Sequence, residues 1–132
     1  MGNPVDPLDA HTGVYHLEWS ARGFSAKVRV ARCSLTHAFA AEVDEARGLL
    51  LVAWNDSGDT LRACNTYLAA RPRGGRWSRP LLLLKQTSRL SLERVGEGAF
   101  AVRLFERVEV PGKDPRFAAE MKLREFLVTF PP

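Results

Sequence analysis

Leu49-Leu50-Leu51-Val52-Ala53-Trp54 is an unbroken apolar run, halted by the polar stretch Asn55-Asp56-Ser57-Gly58-Asp59. An apolar run this short, bounded by turn residues, predicts a strand covered on both faces rather than a helix. Upstream, Phe39-Ala40-Ala41-Glu42-Val43-Asp44 and a turn at Ala46-Arg47-Gly48 lead into it. Downstream come residues 61–70, a turn at Gly74-Gly75, and Pro80-Leu81-Leu82-Leu83-Leu84. Ser88-Arg89-Leu90-Ser91-Leu92-Glu93 alternates, Gly96-Glu97-Gly98 turns, and residues 99–110 alternate again through Phe100, Val102 and Leu104. The two-residue period is that of a strand with one wet and one dry side.

The same period recurs nearer the N-terminus. In Phe24-Ser25-Ala26-Lys27-Val28-Arg29-Val30-Ala31-Arg32, the apolar Phe24, Ala26, Val28 and Val30 share one side, and Ser25, Lys27 and Arg29 the other. Tyr15, Leu17 and Trp19 alternate with His16 and Glu18, and Ser20-Ala21-Arg22-Gly23 is a turn-sized link, so residues 14–32 read as a hairpin. Strands at this spacing predict an all-β fold: an antiparallel meander of hairpins, closed as a propeller-like blade array, a small barrel or a sandwich.

Two segments fit both periods. Residues 36–46 are rich in alanine and leave room for one short helix, and residues 117–127 suit either a helix or a strand that slips face at Glu125 through a bulge. A strand is the favoured reading of each. Residues 1–12, polar and Pro-containing, are expected to be a loose arm, with 13–132 a single β-rich domain.

Composition narrows the class. The 132 residues are 45% hydrophobic and 26% charged, which excludes disordered and collagen-like chains. Fifteen Arg and 4 Lys oppose 15 acids, for a formal charge of +4. The excess lies in the C-terminal half: residues 1–66 carry −2 and residues 67–132 carry +6. Such a balance permits a polyanionic partner without requiring one. No apolar run approaches the roughly 18 residues of a membrane span, and Met1-Gly2-Asn3-Pro4-Val5-Asp6 has neither a signal-peptide pattern nor the Ser or Thr that myristoylation requires. A cytoplasmic location follows as the expectation. Cys33 and Cys64 are too few for a disulfide scaffold; they could pair in an oxidising compartment, but read first as buried, reduced thiols.

Residues 39–84 carry a partial resemblance. Their four strand-like segments, ending in a Gly-rich turn and Trp77-Ser78-Arg79-Pro80, resemble one blade of a sialidase-type β-propeller. That family often carries an Asp-box, Ser-x-Asp-x-Gly-x-Thr-Trp, before the last strand of a blade. Here Gly74 and Trp77 match, while Ala70, Pro72 and Arg76 replace the serine, aspartate and threonine. The resemblance covers about a third of the chain. It implies a bladed fold and, if it extended to activity, an arginine cluster for a carboxylate with a tyrosine nucleophile. The tyrosines, Tyr15 and Tyr67, both sit in apolar alternations that read as core. About 40–45 residues per blade leaves room for only about three blades, so closure would require further chain or further copies, and unpaired edges invite another chain.

Other chemistry is sparse. Asp9, His11, His16, Cys33 and His37 contain a Cys-x3-His pair but no recognised zinc spacing, and residues 55–59 lack the acids of a calcium loop. Neither a metal nor a cofactor is expected. The segment Arg71-Pro72-Arg73-Gly74-Gly75-Arg76-Trp77-Ser78-Arg79 places four arginines around a tryptophan, a composition able to grip a phosphate, a carboxylate or an acidic protein surface. Arg71, Arg73, Arg76, Trp77 and Arg79, with Trp54 and Trp19 as further aromatic anchors, are the predicted contact residues. The expected function is therefore a non-catalytic binding module for another protein chain or a copy of itself. A lectin-like glycan binder, a nucleic-acid binder through residues 71–79 and a sialidase-like hydrolase fragment are the alternatives.

Overall fold

The computed structural model describes residues 13–33, 38–56, 64–112, 114 and 119–132. Ten strands and no helix occur among them: β1 Val14–His16, β2 Trp19–Ser20, β3 Gly23–Phe24, β4 Val28–Ala31, β5 Phe39–Asp44, β6 Leu49–Asp56, β7 Cys64–Arg71, β8 Leu81–Gly96, β9 Ala99–Glu109 and β10 Ala119–Thr129. Strands β5 to β10 form one antiparallel meander of six, in the order β10-β9-β8-β7-β6-β5. The predicted all-β antiparallel fold is observed, without a closed barrel. Residues 39–84 run through β5, β6, β7 and the start of β8, and the sheet does not stop there.

The bend in β8 makes a layered core from this single sheet. Its first part pairs with β7 and its second part with β9, with shifted registers on both sides. Gln86 and Arg89 take φ of 55° and 53°, left-handed values that are unusual for residues with a Cβ and that turn the strand. Thr87, between them, is buried and fixed by hydrogen bonds: its hydroxyl donates to the Cys64 carbonyl at 2.9 Å and lies 2.7 Å from the Thr66 hydroxyl. Beyond the bend, β8 to β10 fold back over β6 and β7. Phe100, Val102 and Leu104 of β9 pack there with Leu51, Ala53 and Leu68 in two adjoining clusters.

The other face of β6 and β7 is covered as well. Val52, Trp54 and Ala69 form a cluster with Val14, Val30, Ala31 and Cys33 from the N-terminal segment. β6 thus lies in a middle layer, which is why its sequence is apolar at every position from Leu49 to Trp54. Trp54, 1% exposed, stacks on Tyr67 with ring centroids 5.9 Å apart. At the end of β6, Asn55 is a buried polar residue; its Oδ1 accepts from the Ala38 amide at 2.8 Å and its own amide donates to the Ala38 carbonyl at 3.1 Å.

The sequence expectations hold unevenly at the margins. Residues 14–32 do form hairpin pairings around the Ser20–Gly23 turn, β1 with β4 and β2 with β3. They do not form one long strand with a single dry side: residues 25–27 break the pairing, and Phe24 and Val28 are exposed. The helix allowed over 36–46 is a strand where the chain is described, β5. Of residues 117–127, those described form a strand as well, but without the slip at Glu125: β10 keeps one continuous register with β9 from Ala119 to Thr129. Its apolar residues simply change face, Met121, Leu123 and Leu127 on one side and Phe126 and Val128 on the other. The 1–12 arm and the calcium-like turn beyond Asp56 lie outside the described residues.

A latch joins the start of the sheet to its distal turns. The buried carboxylate of Asp44, at the end of β5, accepts from the Gly98 amide at 2.6 Å and from the Arg47 amide at 3.3 Å. Arg47 reaches onward to the Phe130 carbonyl at 2.8 Å and pairs with Glu97 at 3.2 Å. Gly98 has φ of 64°, and a Cβ there would collide with the Arg47 guanidinium. The Gly98 amide holds the Asp44 carboxyl below its ordinary value near 3.8 despite the opposing effect of burial, with the Arg47 amide and the Arg94 and Arg47 charges assisting.

Two outcomes follow from this latch. A carboxyl whose folded pKa is depressed contributes stability that is present above its unfolded value and lost as the pH falls through its folded one. Asp44→Asn will therefore lower the melting temperature at pH 7 and flatten its decline below about pH 4, as thermal melts across pH will show. Gly98→Ala will cost about 1–3 kcal/mol in denaturant unfolding, through left-handed strain and displacement of Arg47.

Candidate cationic cleft

The segment after β7 is a tightly determined loop. Gly74 has φ of 68°, the Gly75 amide donates to the Pro72 carbonyl at 2.9 Å, and Arg71 Nε donates to the Gly75 carbonyl at 3.1 Å. Ser78 then returns the chain to the end of β7. Its amide donates to the Ala70 carbonyl at 2.7 Å, and its Oγ accepts from the Ala70 amide at 2.9 Å. With both ends pinned, Trp77 turns inward against the Val52, Trp54 and Ala69 cluster, and His16 meets it edge-on with ring centroids 5.3 Å apart. Trp77 Nε1 is buried and has no hydrogen-bond partner among the described residues.

Trp77, His16 and Val30 line two neighbouring clefts. The first, about 370 Å³, is apolar and lies between β1 and the β5–β6 hairpin, with Val14, Phe39, Val43 and Val52 among its walls. The second, about 750 Å³, lies between residues 25–30 and residues 71–79. Arg29, Arg71, Arg76 and Arg79 line it against a single carboxylate, Glu18. Arg71 Nη1 holds that carboxylate at 3.0 Å, and His16 Nε2 lies 3.7 Å from it. Among the described residues, no acid pairs with Arg29, Arg76 or Arg79, so three guanidinium groups face the cleft without a counter-ion. Arginine forks donate to carboxylate or phosphate oxygens in pairs, and an enclosed wall raises the local potential.

Of the predicted contact residues, the structure brings Arg71, Arg76, Trp77 and Arg79 together in this second cleft. Arg73 turns away: its Nη2 donates to the Glu45 carbonyl at 3.0 Å, beside Gly48. Trp54 is sealed in the core and is no surface anchor. Trp19, 72% exposed, stands on the β2–β3 hairpin and lines neither cleft. Arg29 joins the site without having been singled out. Its signal was available in the alternation, which puts Arg29 on the polar side of its strand, but nothing local tells which loop that side faces.

Other chemistry is not assembled. Asp9, His11 and His37 lie outside the described residues, and among those described no three His, Cys, Asp or Glu side chains stand together as metal ligands. Tyr67 is stacked on Trp54, and the Lys27 ammonium sits over the Tyr15 ring, 5.1 Å from its centroid. Cys33 and Cys64 are both buried, and burial followed by the nearby Asp56 charge pushes Cys64 up. No described helix is long and apolar enough to cross a membrane. No family model, curated protein or solved structure matches the chain.

Trp77 supports the wall between the clefts, so its removal will be felt in stability. Trp77→Ala will cost about 2–4 kcal/mol in denaturant unfolding. Trp77→Phe, which keeps the ring contact and deletes the unpartnered Nε1, will cost about 1 kcal/mol or less.

Proposed function

We propose that the protein is a non-catalytic binding module that takes an extended acidic segment of another protein chain in the cleft between residues 25–30 and 71–79. The observation that carries this reading is the convergence of Arg29, Arg76 and Arg79, none paired to a described acid, on one walled cleft with Arg71 and Trp77. Leaving three cations uncompensated beside one another raises the free energy of the empty cleft, and an anionic ligand removes that repulsion.

A protein ligand suits the surroundings better than a bare phosphate. The adjoining apolar cleft shares Trp77, His16 and Val30 with the cationic one. A peptide with carboxylates along one stretch and an aliphatic side chain next to it would fill both. Strand β4 is paired only with β1 among the described residues, and Val28, Arg29 and Val30 line the cleft. A strand edge of this kind can accept an extended chain through main-chain hydrogen bonds.

Fluorescence anisotropy with a labelled ten-residue peptide of alternating Glu and Leu tests this. Binding is expected to weaken steadily with added salt and to fall at least tenfold in Arg76→Glu/Arg79→Glu, while Arg73→Glu, outside the cleft, changes it less than threefold. Tighter binding of a thymidine oligonucleotide than of the peptide at equal salt would favour the nucleic-acid reading instead. Peptide affinity indifferent to the double substitution would remove the cleft from consideration.

A further inference from the structure

β10 is the last strand of the six-stranded order, and its outer edge has no neighbour among the described residues. This edge is long and regular: eleven residues, no Pro or Gly, and a ladder with β9 that has no register shift from Ala119↔Glu109 to Thr129↔Ala99. Natural sheets commonly interrupt such edges with prolines, bulges or outward charges, because a straight open edge templates another strand. Here the face turned away from the core carries Met121, Leu123 and Leu127 around Glu125. Leu123 is 59% exposed and Leu127 66%, with Met121 exposed beside them and Phe105, opposite Leu123 on β9, half-buried. Two of the four charges of β10 are already engaged on the side of their own sheet: Arg124 with Glu106 at 3.0 Å, and Glu125 with Arg103 at 2.6 Å.

We infer that β10 pairs antiparallel with β10 of a second copy of this chain, joining two six-stranded sheets into one of twelve about a two-fold axis at Arg124. That register engages the whole strand, Ala119 opposite Thr129, over about 37 Å at the rise of an antiparallel strand. Two of its three outer apolar side chains meet each other in it. On the outer face Met121 meets Leu127 of the other copy, and by symmetry Leu127 meets Met121, so the apolar stripe continues across the junction. Leu123 lies opposite Glu125 of the other copy, whose carboxylate stays on its own Arg103. On the inner face the two Arg124 side chains meet at the axis, each held by its own Glu106, so the four charges sum to zero although the two cations are neighbours. Lys122 falls opposite Phe126 and Glu120 opposite Val128. A two-fold contact of this kind uses one patch twice and closes at the dimer, which no end-to-end stacking of unlike edges would do.

Nothing in this pairing involves the cationic cleft, whose walls come from residues 16–30 and 71–79. Sedimentation equilibrium of the intact chain from about 1 to 100 µM reads it directly, with expected assembly at twice the 14.7 kDa chain mass. Leu123→Lys/Leu127→Lys changes two exposed side chains and is expected to raise the dimer dissociation constant at least tenfold with an unchanged far-ultraviolet circular dichroism spectrum. The register has its own readout. Arg124→Cys places a thiol opposite its own copy across the axis and is expected to give a covalent dimer on mild oxidation, which the wild-type chain, with Cys33 and Cys64 buried, does not form. A wild-type mass of one chain up to 100 µM overturns the inference, as does a dimer that survives the double lysine substitution with undiminished affinity. A dimer without the 124–124 cross-link overturns the register.

Discussion

The hydrogen bonds that Gly98 and Arg47 amides make to the buried Asp44 carboxylate tie the end of β5 to the turn between β8 and β9, which the meander places three strands away. A six-stranded sheet left flat would expose one of its faces along most of its length. Held at this point, and bent at Gln86 and Arg89, it covers itself. The β8–β10 half supplies Phe100, Val102 and Leu104 to cover Leu51, Ala53 and Leu68. An anion is the appropriate tie because the groups it collects, two amides and the Arg47 and Arg94 charges, are all donors or cations. Without that carboxylate, a buried Gly98 amide would lose its partner where water cannot replace it.

Once the sheet covers one face of β6 and β7 with its own strands, the other face needs a different cover, and the short N-terminal strands provide it. They are too short to be stable as an isolated hairpin. Their anchorage is Trp77, which touches the β6–β7 cluster and His16 together. The position of that tryptophan is set by Ser78 and its two hydrogen bonds to Ala70. The cleft is therefore a consequence of packing: residues 25–30 can lie only as close to residues 71–79 as the Trp77 ring allows, and the arginines on either side of the ring are left lining the gap.

Legibility in the sequence followed how local each signal was. The double burial of β6 was readable because a strand with two covers must be apolar at consecutive positions. The meander was readable because turns at Gly48, Gly74-Gly75 and Gly98 punctuate it at short intervals. The bend in β8 was not, since Gln86 and Arg89 hold left-handed conformations that nothing in their residue types favours and that distant Thr66 and Cys64 help to impose through Thr87. Within the site, proximity along the chain grouped Arg71, Arg76, Trp77 and Arg79 correctly. It misplaced Arg73, which leaves on the opposite side of the Gly74 turn, and it missed Arg29, which arrives from a strand about 50 residues away. For Trp19 and Trp54 the residue type was informative about size and silent about depth.

The cleft and the β10 edge occupy separate parts of the fold, and this separation has a physical consequence for affinity. A lone cleft with three free guanidinium groups offers mainly screened electrostatic attraction, which at physiological salt gives fast association and modest lifetimes. On the proposed β10 pairing, two copies would present two such clefts on one sheet, so a partner bearing two acidic segments would bind the second at an effective concentration fixed by the linker between them. The gain comes without any added contact within either cleft. It depends on the junction being stiff, and a continuous antiparallel ladder supplies more stiffness than a side-chain contact between two loops.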